Sequence, residues 1–86
     1  MAYTVDLRVR ADLLGIARVY RVLRRFAVRG ANIEFERRAE GEVARLHGTL
    51  PHSRKALALA AALVRTPAVQ HAAILNEKAV LAEFSR

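Results

Sequence analysis

The chain has 86 residues, 53% of them hydrophobic, with no cysteine and a formal net charge of +7 at pH 7. That length gives one domain without room for a second core, the apolar content excludes a disordered chain, and the lack of cysteine removes disulfides and thiolate metal sites. Arginine dominates the basic residues, a balance that fits nucleic acid, an anionic ligand or an acidic protein partner and selects none of them.

Tyr3, Val5, Leu7 and Val9 alternate with Thr4, Asp6 and Arg8, the period of a half-buried strand. Asp6 and Arg8 also lie where a secretory signal would carry its apolar stretch, so a cytoplasmic chain is expected. Residues 11–15 form the connection, with Asp12 or Gly15 as cap, and a helix is predicted from about Gly15 to Val28. Its buried stripe is Ile16, Val19, Tyr20, Leu23, Phe26 and Ala27, and Gly30 supplies the stop. Ile33 and Phe35 alternate with Asn32, Glu34 and Glu36 in a second strand. A hairpin turn follows at 39–42, and Ala44, Leu46 and Leu50 line a third strand opposite Arg45, His47 and Thr49.

Ser53 is the expected N-cap of a second helix to about Arg65, with Ala56, Leu59, Ala60, Leu63 and Val64 inward. Thr66-Pro67 ends it, because the residue before proline is pushed out of the α region. Ala56 to Val64 is apolar yet too short to span a bilayer. Val69 to Leu75 reads as a fourth strand. Residues 77–86 read as a charged tail with a helical turn or two around Val80, Leu81 and Phe84, leaving 1–76 as the folded domain.

The order β-α-β-β-α-β predicts an α+β, ferredoxin-like fold: a four-stranded antiparallel sheet with both helices on one face. Tyr3, Val5, Leu7, Ile33, Phe35, Leu46 and Val69 are expected to meet Val19, Leu23, Phe26, Leu59 and Leu63 in its core. A domain of this size buries only about two-thirds of its unfolded surface, so a dimer or a complex is expected.

Catalytic constellations are absent from the pattern. His47, His52 and His71 fit no metal-ligand spacing, and Ser53 and Ser85 read as a cap and a tail residue, so no enzyme and no cofactor are expected. Arg18, Arg21, Arg24, Arg25 and Arg29 share the polar side of the first helix, either a solvated face or a phosphate-binding stripe. All but one of the aromatics map to the helix-facing core, with Phe84 in the tail. RNA-recognition sheets of this topology need stacking rings on the open face, so specific nucleic-acid binding is disfavoured.

With Val19, Arg21, Val22 and Phe26 on the helix, then Arg29-Gly30, Asn32 and Ile33, the chain resembles an ACT domain. More narrowly it is similar to the small regulatory subunit of acetohydroxyacid synthase (acetolactate synthase), in its short, single-domain class; Ser53 to Leu75 matches that family's second helix and closing strand. The resemblance implies a homodimer paired through its ACT domains and docked on a thiamine-diphosphate-dependent catalytic subunit. The thiamine, magnesium and flavin would sit in that partner. It also implies a branched-chain amino-acid site where the first strand–helix loop meets a neighbouring protomer. In this chain those positions are Asp12, Leu13, Leu14, Gly15, Ile16 and Ala17, with Asn32 and Ile33. The chain departs from the family at Leu14 and Ala17. Leu14 has no side-chain polar atom for a zwitterion, and Ala17 adds a Cβ where backbone would approach the ligand. An activating subunit with weak or absent valine feedback is therefore expected. The other readings are a stand-alone amino-acid-sensing module for another enzyme and, behind it, a basic nucleic-acid-binding domain.

Overall fold

The structure, a computed structural model, describes residues 2–39, 41–77 and 79–86. In chain order it contains β1 (Tyr3–Arg10), α1 (Leu13–Arg25), β2 (Arg29–Arg38), β3 (Gly41–Leu50), a 3-10 turn over Ser53–Lys55, α2 (Ala56–Val64), β4 (Val69–Leu75) and β5 (Val80–Ser85). The strands form one antiparallel sheet in the order β2-β3-β1-β4-β5.

The fold is α+β, but the expected four-stranded βαββαβ arrangement is corrected to five strands, β-α-β-β-α-β-β. Residues 80–85 are a strand and not helical turns. Val80 and Phe84 suit a helical i, i+4 reading, yet Ala82 and Phe84 also alternate with Leu81, Glu83 and Ser85. Without β5, β4 would leave a row of backbone donors and acceptors unpaired at the sheet edge. With it, Phe84 sits opposite Ala72 and packs against the core.

Val5, Leu7 and Val9 of β1 are fully buried with Leu46, Leu50, Val69 and Ile74 from the flanking strands. Val19 and Leu23 of α1 and Leu59 and Leu63 of α2 close over them, as expected, each burial worth about 1.5–3 kcal/mol. Tyr3, Ile16, Tyr20, Phe26 and Ile33 pack at the margin. Phe35 departs from the expected core and is 59% exposed. The reason is where the helices lie: α1 packs on β1 and α2, and α2 packs on β4 and β5, so the outer part of β2 has little above it. Val64, also expected inside, is half exposed at the last turn of α2.

The helix ends differ from the sequence reading too. α1 begins at Leu13, because Asp12 in extended conformation caps it: its carboxylate accepts the Gly15 backbone N–H at 2.7 Å. Its C-terminus is set before Gly30. Ala27, not glycine, takes the left-handed conformation at φ 59°, and the N–H groups of Ala27 and Val28 donate to the carbonyls of Arg24 and Leu23. That is a Schellman ending, with Val28 and Leu23 supplying its apolar contact positions. Ala27 is consequently exposed and not part of the buried stripe. Gly30 does adopt positive φ, at 62°, but inside β2 where the register with β3 shifts. Ser53 does not cap α2; it opens the 3-10 turn, and α2 starts at Ala56 without a capping side chain. In the hairpin, Gly41 has φ 128° as its turn position suggests, while Glu40 lies outside the described residues. Among the described residues no helix is long and apolar enough to cross a membrane.

Candidate functional site

The strand–helix connection is a tight cap and not an open loop. After β1 the chain turns at Asp12, whose N–H donates to the Arg10 carbonyl and whose own carbonyl accepts from Ile16. Gly15 is buried in the first turn of α1, where an added Cβ would stand 2.8 Å from the Ala68 side chain and 3.1 Å from the Asp12 carboxylate. Glycine is what lets the helix start so close to the β4 approach. The same packing pushes the preceding two side chains outward: Leu13 is 86% exposed and Leu14 62%. Ile16 is half-buried against the core, and Ala17 is in water.

Asn32 and Ile33 lie elsewhere. On β2, Asn32 pairs with His47, which pairs with Asp6 on β1; Ile33 pairs with Leu46. The Asp12 turn follows Arg10, four residues further along β1, a distance of about 13 Å at the rise of a strand. Asn32 also sits on the sheet face away from the helices, whereas Ile33 faces them. One chain therefore brings residues 12–17 together at the head of α1 and keeps Asn32 and Ile33 apart from them.

Beneath the Asp12 turn is a shallow depression of about 290 Å³ lined by Arg10, Asp12, Glu42, Val43 and Gln70. It opens toward the helix-free face of the sheet, where Asp6, Arg8, Arg45, His47 and His71 lie. Asp6 and His47, directly opposite across β1 and β3, are 2.7 Å apart. His71 and Ser85, opposite across β4 and β5, share a hydrogen bond of 2.7 Å, and the other ring nitrogen of His71 lies 3.7 Å from Glu83. The sequence pattern gave no hint of these partners, because each pair joins residues on different strands. Register, had it been known, would have found them. A serine, a histidine and a carboxylate in contact invite comparison with a nucleophilic triad. Here Ser85 and Glu83 are exposed on the edge strand β5 beside His71 of β4, and the group lacks the water-excluded setting in which an oxyanion is stabilised. They act as a cross-strand polar ladder.

A second depression, about 440 Å³, is bordered by Arg8, Arg10, Arg38 and Arg86. The arginines that the sequence places on α1 (Arg18, Arg21, Arg24 and Arg25) are all exposed, and Arg29, expected beside them, is exposed on β2. Among the described residues no three histidine, aspartate or glutamate side chains are grouped to hold a metal ion. Comparison with protein-family models, curated proteins and solved structures found no match to this chain.

Proposed function

We propose that the chain is a non-catalytic regulatory subunit of the acetohydroxyacid synthase type, cytoplasmic and paired with a second copy. In this reading it activates a larger thiamine-diphosphate-dependent catalytic subunit by docking on it. The observation that supports this reading most is the head of α1, where Leu13 and Leu14 stand side by side in water on a rigid, capped turn. Adjacent exposed leucines on fixed backbone are suited to contact with another protein.

The same turn is a poor receptor for an amino acid. A bound zwitterion needs a partner for its ammonium and one for its carboxylate. Asp12 is the single acid in residues 11–17, and its Oδ1 is already held by the Gly15 N–H. Leu14 contributes no polar side-chain atom, and Gly15 faces Ala68 and not solvent. Asn32, the remaining polar group of the proposed set, is remote in the same chain. This geometry supports the weak or absent valine feedback of the proposed reading.

The test is acetolactate formation by the catalytic subunit of the same organism, with this chain added and then with valine titrated in. Stimulation that stays flat in valine is expected. The double variant Leu13→Ser/Leu14→Ser is expected to dock at least tenfold more weakly, a change of about 1.4 kcal/mol, while its melting temperature stays unchanged. Failure to stimulate at any ratio would reject the subunit reading. Inhibition by valine would reject the argument from the Asp12 turn alone.

A further inference from the structure

On β1 the residues that alternate with the core are Asp6, Arg8 and Arg10, so two arginines reach the helix-free face in succession. Strand pairing then does something the sequence does not announce. Arg8 stands directly opposite Arg45 on β3, and on its other side directly opposite His71 on β4. Directly opposed residues in an antiparallel pair have Cα atoms about 4.5–5.5 Å apart, and like charges there destabilise the sheet. Arg38 of β2 reaches the same area, since it borders both depressions that Arg8 borders.

The acids nearby neutralise only part of this group. Glu36 lies 3.4 Å from Arg38, and Asp6 is paired with His47. Glu34 is opposite Arg45 in the register yet forms no ion pair with it, and Glu83 approaches His71. Arg8, Arg10 and Arg45 make no ion pair with any described residue, and the buried Nε of Arg38 has no hydrogen-bond partner among them. Arg86 closes one end of the basin with its guanidinium already donating to the Val69 and Val64 carbonyls.

We propose that this basin, built on Arg8, Arg10, Arg38 and Arg45, binds a compact oligophosphate group such as a diphosphate or triphosphate. Guanidinium forks match phosphate oxygens in geometry and keep their charge at all relevant pH. Several forks carried on neighbouring strands suit a ligand with several negative centres, and such a ligand would remove the repulsion between Arg8 and Arg45. The depression that Arg8, Arg10 and Arg38 border, about 440 Å³, has the volume of a small-molecule site, and Arg45 borders the adjoining one of about 180 Å³ beside Arg8 and Arg38. Nucleic acid is the weaker match, because Tyr3, Phe35 and Phe84 all lie on the helix side of the sheet, so bases would find no ring to stack on. This site is independent of the subunit reading.

The experiment is calorimetry and thermal melting of the intact chain with inorganic tripolyphosphate, against sodium chloride at matched ionic strength. Tripolyphosphate is expected to raise the melting temperature where the matched salt does not. Arg8→Gln is expected to weaken binding at least tenfold while melting no lower than the parent without ligand, since it removes a like-charge contact. Arg45→Gln provides the same test from the facing strand. Arg18→Gln, which removes an equal charge from α1, should change affinity less than twofold. Equal loss in Arg18→Gln and Arg8→Gln, or equal stabilisation by the matched salt, would overturn the site. So would binding of a single-stranded oligonucleotide that tripolyphosphate fails to compete away.

Discussion

The two helices of this small domain reach the same core by different means. α1 carries its own instructions. Its buried stripe has helical spacing, Asp12 caps its first turn, and Ala27 and Val28 close its last carbonyls within a few residues of the helix itself. α2 has fewer of these. It is apolar nearly all round and begins without a capping side chain after a 3-10 turn. What finishes α2 comes partly from Thr66, whose hydroxyl donates to the Ala62 carbonyl at 2.9 Å, and partly from the far end of the chain. Arg86 donates to the Val64 carbonyl and, at 2.8 Å through Nε, to that of Val69, with its guanidinium over the Phe84 ring. The contrast teaches that one helix is specified locally and the other by what folds against it.

Removing Arg86 tests the tertiary half of that comparison and is expected to have the largest effect. Arg86→Met forfeits charge-assisted bonds to two carbonyls, about 2–3 kcal/mol in total. For a domain of this size that corresponds to a fall in melting temperature of roughly 10–20 °C. Hydrogen exchange should show the loss concentrated in the last turn of α2 and in β5. A loss confined to α1 would contradict the assignment of Arg86 to the end of α2.

Asp12→Ala is the local counterpart. It removes one N-cap bond and is expected to cost about 1 kcal/mol in chemical denaturation, with Asp12→Asn recovering most of it. A cost equal to that of Arg86→Met would erase the distinction between the two helices. The smallest effect has the opposite sign. Ala27 occupies a left-handed conformation that costs an L-residue about 1–2 kcal/mol, whereas glycine adopts it freely at some expense in unfolded-state entropy. Ala27→Gly should therefore stabilise the chain by about 0.5–1 kcal/mol, read as a later denaturation midpoint at unchanged slope.

These examples also mark what could be read along the chain. The alternation of Tyr3 to Val9 and the spacing of Ile16 to Phe26 are short-range patterns, and both became the elements they suggested. Gly30 drew the helix end three residues too far, because the positive-φ position fell on an alanine that propensity does not mark. Phe35 looked like core because its strand alternates; it is exposed because β2 is an edge strand with little helix over it. Of the residues proposed for a ligand, the consecutive set 12–17 shares one turn, while Asn32 and Ile33 are carried away by β2.

The sequence by itself determined the α+β class, β1 and β4 to within a residue of their ends, and which side chains of β1, β3 and α1 face inward. Each of these depends on a residue and neighbours within about a turn or a strand, where period and capping chemistry act. The tertiary structure alone decided that residues 80–85 become a strand, that Arg86 completes α2, and that Arg8 faces Arg45. These depend on contacts between residues far apart in the chain, set by strand register and by which sheet edge is left uncovered.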